Sequence, residues 1–231
     1  MKTKTTTSIY EIAPLPLIHN PQQRMKAKEN LKYFCEQYFP QSFSLAWSNH
    51  QLKIIELLQT TLIQGGDFDL EMPYRIGKTT LITTATIWAA LYGHCRFIKI
   101  VGNDKYDTDV FIKCIKHQLT YNKNLLEDFP EAIYPFHKLC NNPSWARKQL
   151  YLGELTKIEY KSDIIIFPEI PESPSSGTVI ITNRINHLEK SHTIVFSDGT
   201  IKRPDTILFE DNSSLDNSRI TCHTFKLQNY Q

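Results

Sequence analysis

The stretch from Met72 to Thr79 has the residue types of a phosphate-binding loop. It follows a predicted strand and precedes a predicted helix, so its backbone N–H groups would point at phosphate oxygens at the positive end of the helix dipole. Gly77 would let the chain pass close to the phosphates, Lys78 would reach the β- and γ-phosphates, and the Thr79 hydroxyl would bind Mg²⁺. We therefore predict that ATP and Mg²⁺ bind to the residues Pro73, Tyr74, Arg75, Ile76, Gly77, Lys78, Thr79 and Thr80.

One position of this loop departs from the pattern G-x-x-x-x-G-K-[ST], because Met72 stands where the first glycine is expected. The tripeptide Gly-Lys-Thr also occurs by chance. An ordinary strand–turn–helix with an exposed lysine is therefore the alternative interpretation.

A second candidate feature is the acidic pair Glu210 and Asp211, which follows the apolar run Ile207–Phe209. In P-loop enzymes one such carboxylate holds the Mg²⁺ shell, and the other orients or deprotonates the attacking water. We predict catalytic roles for this pair and a Mg²⁺ site formed with Thr79. An apolar strand that ends in acids is common, so the prediction depends on the loop being present as well.

The elements around these residues alternate between strand and helix. Strands are predicted at Phe68–Met72 and Arg96–Val101, and helices at 78–93 and 106–119. Such alternation is typical of parallel pairing with right-handed crossovers. We therefore expect an α/β fold with a mainly parallel central sheet and flanking helices. The strands 68–72 and 206–209 should end at the same edge of that sheet, where open α/β sheets bind ligands.

Further elements are predicted outside this unit. They are helices at 21–38 and 48–63, a hairpin of 157–160 with 164–167, a strand at 177–182, and a hairpin of 193–196 with 200–201 across the turn 197–199.

Composition limits the class of protein. The 231 residues carry a net charge of +2, so bulk charge argues neither for nor against nucleic acid. Five scattered cysteines without a CxxC pair argue against a disulfide framework or a zinc ribbon. We find no signal peptide and no apolar run of membrane-spanning length, so we expect a cytoplasmic protein without membrane contact.

The chain resembles the ATPase domain of the large terminase subunits that package DNA into phage heads, and the likeness extends from about residue 34 to residue 219. No single motif is decisive, but their order and spacing together are fairly specific. The motifs are Phe34–Pro40, Phe43, Trp47-Ser48, Met72-Pro73, Arg75-x-Gly77-Lys78-Thr79, Tyr92–His94, Val101–Asp104, Glu127–Glu131, Gly153-Glu154, Pro171–Gly177, Arg203–Asp205 and Glu210-Asp211.

This resemblance implies a P-loop NTPase of the ASCE type that hydrolyses ATP to move DNA. It implies that Arg75 senses the γ-phosphate and stabilises the transferred phosphoryl group. Its partners would be double-stranded phage DNA, a portal protein, a small terminase subunit and further copies of the chain in a ring, in the cytoplasm of a bacterial host that carries the prophage. Residues 1–40 would form an arm and helix and 41–231 the ATPase domain, with the nuclease domain of the family absent.

Several positions differ from the family pattern. The Gly-rich stretch before the acidic strand is replaced by Asn183–His187, Asp69 and Glu71 stand on the strand before the loop, and Glu210 stands where the family prefers Asp. We therefore expect slow hydrolysis, with a nucleotide-binding or structural remnant of a prophage terminase as the alternative. A small-molecule kinase is a third interpretation, weakened because no Arg-rich lid is visible.

Other residues of types that could do chemistry have simpler explanations. Trp47 could stack on adenine, but a packing role is favoured, and Cys114 with His117 is better explained as a core thiol and a surface imidazole than as a metal site. Four lysines could follow a DNA path, although a solvated helix face is the simpler explanation. These lysines are Lys99, Lys105, Lys113 and Lys116.

Overall fold

The computed structural model describes residues 10–73, 76–139, 142–184, 194–195, 201–211 and 217–224, with the backbone alone for 72–73, 143, 194–195, 201–202, 209–211 and 217–218. The helices are α1 Pro21–Ala27, α2 Leu31–Tyr38, α3 Asn49–Gln64, α4 Lys78–Leu91, α5 Lys105–Tyr121, α6 Lys123–Asp128 and α7 Pro130–Leu139, with a 3-10 helix at Pro143–Lys148. The strands are β1 Tyr10–Glu11, β2 Gly66–Pro73, β3 Phe97–Gly102, β4 Gln149–Tyr151, β5 Glu154–Leu155, β6 Glu159–Tyr160, β7 Ile164–Ile166, β8 Val179–Arg184, β9 Ile194–Val195, β10 Ile201–Lys202, β11 Thr206–Asp211 and β12 Asn217–Thr224.

In the part of the chain that the structure describes, the central sheet has seven strands in the order β2-β12-β11-β3-β8-β7-β6. Only β11 with β3 and β3 with β8 pair in parallel, whereas the other four neighbouring pairs are antiparallel. The predicted α/β class is confirmed, but the sheet is mixed rather than mainly parallel. Near β2 the sheet is mixed because of β12, a strand that was not predicted from the sequence. Only residues 212–216 connect β11 to β12, and these are too few for the crossover that parallel pairing requires, so β12 pairs antiparallel.

The strands β2, β11, β3 and β8 of this sheet all end at one edge. β2 and β11 are both antiparallel to β12, so they run in the same direction, and β3 and β8 run parallel to β11. Glu71 and Asp211 both lie opposite Arg219, and Glu210 lies opposite Gly102. The carboxyl ends of β2, β11, β3 and β8 are therefore aligned along one edge of the sheet.

The main core lies on one face of the sheet. Alternate strand residues, with side chains on the same face, join the large buried cluster to residues from every helix of the described chain. The strand members are Ile98, Ile100, Tyr160, Ile165, Ile180, Leu208, Ile220 and Cys222. Within the described residues, the opposite face carries a smaller cluster of Phe97, Val179 and Ile181.

Helix α4 is the central helix of the main core. Every residue from Leu81 to Leu91 is buried, and Trp88, with no exposed surface, donates its indole N–H to the Ala27 carbonyl at 2.9 Å. A helix that is buried on all sides is held by its surroundings. The start of α4, which follows the predicted phosphate loop, is therefore fixed in place by the core.

The predicted helix at 21–38 is two helices in the structure. Asn30 caps α2 by accepting from the Tyr33 N–H at 2.9 Å, and so it begins a new helix where the sequence pattern had indicated continuity. The predicted helix at 48–63 is confirmed as α3, which Ser48 and Gln51 open with a reciprocal capping box.

A buried carboxylate ties the first helices to the middle of the chain. Asp128 is 2% exposed and accepts from the Asn20 N–H and from the Tyr38 hydroxyl, both at 2.8 Å. Arg24 in α1 forms an ion pair with Glu131 at 2.5 Å. Because side chains of α1 and α2 also belong to the main buried cluster, residues 21–38 share one core with the rest of the fold.

Other pairings agree with the sequence or add to it. The hairpin predicted at 157–160 and 164–167 is confirmed as β6 with β7. β9 pairs with β10 as the predicted second hairpin, whose turn 197–199 lies outside the described residues. A small sheet of β1, β4 and β5 was not predicted, because its strands are only two or three residues long.

Candidate functional site

The predicted phosphate loop joins the end of β2 to the start of α4. Gly77 occupies the N-cap position of α4 with a φ of 83°, in the left-handed region, and its carbonyl accepts from the Leu81 N–H at 3.0 Å. A side chain there would meet nothing closer than the Gln51 amide at 3.9 Å. Glycine is therefore required for its backbone conformation and not for lack of space.

The residues after Gly77 differ in exposure. Lys78 is only 4% exposed, Thr79 is half-buried and Thr80 is exposed. Both Lys78 and Thr79 have interaction partners in the fold. The alternative of an exposed lysine in an ordinary turn therefore does not describe Lys78. Its position at the first turn of a buried helix is the one that the phosphate-loop prediction requires.

The earlier loop residues are described in part. Pro73 ends β2, and Ile76 is half-buried against the main core. Tyr74 and Arg75 lie outside the described residues, so the role predicted for Arg75 stays a prediction.

Gln51 is a contact of the loop that the sequence analysis did not identify. Its side-chain amide donates to the Ile76 carbonyl at 3.1 Å, while its carbonyl oxygen accepts from the Ser48 N–H at 3.0 Å. The spacing Ser48-x-x-Gln51 is a capping-box signal that the sequence does contain. The long-range bond to Ile76 could not be inferred, because it depends on how α3 packs beside β2.

Glu210 and Asp211 end β11 at the same edge as the end of β2. One strand, β12, lies between β11 and β2, which puts their axes about 10 Å apart at the usual spacing. The backbone therefore brings the predicted loop and the predicted acidic pair to one edge of the sheet. The side chains of the pair lie outside the described part, so their contacts are not specified.

The acids on β2 lie on a solvent-exposed face of an edge strand. Asp69 accepts from the Thr221 hydroxyl at 3.1 Å and lies 3.7 Å from Arg219, and Asp67 lies 3.0 Å from His223. Such acids would be anomalous on a buried strand of the mainly parallel sheet that was expected from the sequence. On an edge strand with one face open to solvent, acidic side chains are common, and the partners on β12 offset part of their charge.

Trp47 has a packing role in the described structure. Its indole N–H donates to Glu36 at 2.8 Å, and its ring stacks on Phe43 with centroids 5.0 Å apart. Lys32 donates to the same carboxylate at 2.7 Å. This hydrogen bond from Lys32, followed by that from Trp47, lowers the pKa of Glu36. The favoured packing interpretation therefore fits the geometry better than stacking on a base.

The four lysines considered for a DNA path do not share one solvated face. Lys99 is 3% exposed on β3, where burial lowers its pKa. Lys105 pairs with Asp109 at 2.7 Å, and Lys116 lies over the Tyr160 ring with its pKa lowered by burial. The expectation of a common helix face is wrong for Lys99, because strand β3 and not a helix carries it.

Cys114 and His117 differ in part from the expected core thiol and surface imidazole. Cys114 is exposed as a free thiol, rather than in the core as expected, and His117 packs its ring against Tyr121. Among the described side chains no cluster of three or more His, Cys, Asp and Glu residues could hold a metal ion. The Mg²⁺ ligands predicted at Glu210 and Asp211 fall outside that set.

The helices that the structure describes do not combine the length and apolar character needed to cross a membrane. Comparisons with protein-family models, with curated proteins and with solved structures found no match to this chain.

Proposed function

We propose that the chain is a P-loop ATPase domain of the kind found in large terminase subunits, which binds ATP with Mg²⁺ and uses hydrolysis to move double-stranded phage DNA. The observation that supports this most directly is geometric. A left-handed glycine opens a buried helix at the end of β2, and the strand that carries Glu210 and Asp211 ends at the same edge. An edge of this kind is where open α/β sheets bind ligands.

The proposed chemistry assigns a role to each part of that edge. The loop N–H groups and Lys78 would hold the β- and γ-phosphates, and Thr79 would hold Mg²⁺. Of the acidic pair, one carboxylate would complete the Mg²⁺ shell and the other would orient the attacking water. Arg75 would stabilise charge on the transferred phosphoryl group. Bound Mg²⁺ would supply charge neutralisation between the phosphates.

Gln51 supports the loop in this scheme. Phosphoryl transfer depends on positioning, so a loop that shifts by a fraction of an ångström loses activity. The bond from Gln51 to the Ile76 carbonyl fixes the residue just before Gly77 against α3. We therefore assign Gln51 as a positioning residue for the loop.

The partners follow from the same proposal. A packaging motor acts on double-stranded DNA and works as a ring of copies docked to a portal protein, with a small terminase subunit that delivers the DNA. These partners, and a site of action in the host cytoplasm, belong to the proposal as a whole and depend on it.

A second candidate function is nucleotide binding without effective turnover, as in a remnant of a prophage terminase. The specific observation that favours it is β12, an antiparallel strand between the loop strand and the acidic strand. It sets the two strand axes about 10 Å apart. A misplaced metal or water would weaken catalysis more than binding, because catalysis depends on interactions made in the transition state.

Steady-state ATP turnover by the purified chain separates the two candidates. The motor predicts measurable turnover that double-stranded DNA stimulates and that Arg75→Ala removes; because of the departures from the family pattern, we expect a rate below about 1 per second. Saturable ATP binding with no turnover, with or without DNA, would select the remnant. Absence of both binding and turnover would contradict both candidates.

A further inference from the structure

A polar cavity of about 290 Å³ opens at the carboxyl end of β8, beside the first turns of α5 and the turn between β6 and β7. All the side chains that line it are charged or carry a hydroxyl or amide group. It shares the sheet edge with the predicted phosphate loop, but β8 lies four strand positions from β2, or about 19 Å at the usual spacing. The cavity is therefore a separate place on the molecule.

The carboxylates of this cavity already have cationic neighbours. Asp109 accepts from Lys105 at 2.7 Å, and this hydrogen bond is the largest cause of the lowered pKa of Asp109, to which the charges of Lys113 and Arg184 add. Asp163 is close enough to Lys116 to favour the charged form of that lysine. A ligand would therefore meet no uncompensated negative charge from Asp109.

Two donor side chains of the same cavity make no hydrogen bond to other described residues. Thr182 is 8% exposed, and Arg184 follows two residues later on β8, so their side chains lie on the same face of the strand. In the described part of the chain, neither side chain has a hydrogen bond or an ion pair. A hydroxyl can donate one hydrogen bond, and a guanidinium offers five N–H donors in a planar fork.

We propose that this cavity binds a small molecule through an oxyanion, a phosphate or carboxylate group, held by the Arg184 guanidinium and the Thr182 hydroxyl. An arginine fork matches the two oxygens of such a group, and charge-assisted bonds are the stronger ones. Lys105 also lines the cavity, where it is paired with Asp109.

The proposal is tested by titrating the full chain with inorganic phosphate and with citrate, followed by amide chemical shifts and by calorimetry. We expect both anions to bind and Arg184→Gln to weaken binding about tenfold to a hundredfold, the size of a lost charge-assisted bond. Thr182→Val keeps the shape of the buried side chain and should weaken binding several-fold. Arg147→Gln, which changes an exposed arginine on the 3-10 helix, should leave the affinity unchanged.

Two further comparisons distinguish anion binding in this cavity from binding in the phosphate loop and from binding of DNA to the surface. Lys78→Ala disables the loop as a competing site, and the phosphate and citrate that this variant still binds should be held in the cavity. No anion binding by Lys78→Ala together with unchanged binding by Arg184→Gln would place the anion in the loop and overturn the proposal. Binding of a DNA duplex without binding of either small anion would overturn it as well, as would equal affinities in all variants. Thermal melts of each variant would show that lost binding is not lost folding.

Discussion

Gly77 combines a left-handed backbone conformation with a proposed role in binding phosphate. Because its φ of 83° lies in the left-handed region, Gly77→Ala should destabilise the fold by about 1–2 kcal/mol. The same strain would turn the loop N–H groups away from a phosphate, so ATP affinity should fall too. Chemical denaturation and ATP titration measure the two effects.

Gly153→Ala is the matched control for that substitution. Gly153 has a φ of 84° in the β4–β5 turn, and no atom lies within 4 Å of the position its Cβ would take. It should lose a similar amount of stability and keep its ATP affinity. If both variants kept the affinity of the natural chain, the backbone of Gly77 would have no part in nucleotide binding.

Gln51 offers a second test at the scale of one residue. Gln51→Ala removes both the capping box and the bond to the Ile76 carbonyl, whereas Ser48→Ala removes a cap but leaves the amide that reaches Ile76. Both should cost about 1 kcal/mol in unfolding free energy. Only Gln51→Ala should weaken ATP binding, by several-fold, as measured by calorimetry. Equal loss of affinity in the two variants would attribute the effect to the cap.

Among the elements, β12 connects the two halves of the proposed site. Ile220 is fully buried on β12, between β2 and β11, so Ile220→Ala should cost about 2–5 kcal/mol in unfolding free energy. Thr221, the next residue, lies on the opposite face of β12, and Thr221→Ala should cost about 0.5 kcal/mol. Urea denaturation of both variants compares them. Equal small losses would mean that β12 contributes little to holding β2.

The elements also show what the sequence could and could not predict. The unit from β2 to α5 was predicted because its apolar spacing and its glycine positions are local signals. β12 was missed because Ile220 and Cys222 alternate with polar residues over only a few positions. The break at Asn30 was missed because an asparagine inside a helical pattern can be a cap or a surface residue.

The geometry of the candidate site was predictable only as far as the edge of the sheet. The local sequence pattern predicted Gly77 and Lys78 at the start of a helix. It also predicted Glu210 and Asp211 at the end of an apolar strand. The insertion of β12 between these strands is a long-range pairing with no local signal. The open face of β2, which explains Asp69, depends on that same pairing.

Lys99 affects the stability of the whole molecule. Burial lowers its pKa, so the charged lysine destabilises the fold most at pH values below the folded pKa. The penalty is relieved as the pH rises from the folded pKa towards the higher value of the unfolded chain. Lys99→Met, which keeps the length of the side chain without the charge, should therefore melt higher at neutral pH, by about 2–4 °C for each kcal/mol recovered.

Melting curves of the natural chain and of Lys99→Met between pH 7 and pH 10 test this sign. The advantage of the variant should shrink as the pH rises. A variant that melts lower than the natural chain at pH 7 would show that the ammonium group makes a favourable interaction. Lys53→Met, on the exposed side of α3, is the control and should change little.

The central claim for the whole molecule is that its sheet edge binds ATP through the loop between β2 and α4. Calorimetric titration of the purified chain with ATP and Mg²⁺ tests it most directly, with Lys78→Ala as the variant and the exposed Lys53→Ala as the matched control. The account predicts saturable binding by the natural chain and by Lys53→Ala, and no measurable binding by Lys78→Ala. Equal affinities in all three proteins, or no binding by the natural chain, would contradict it.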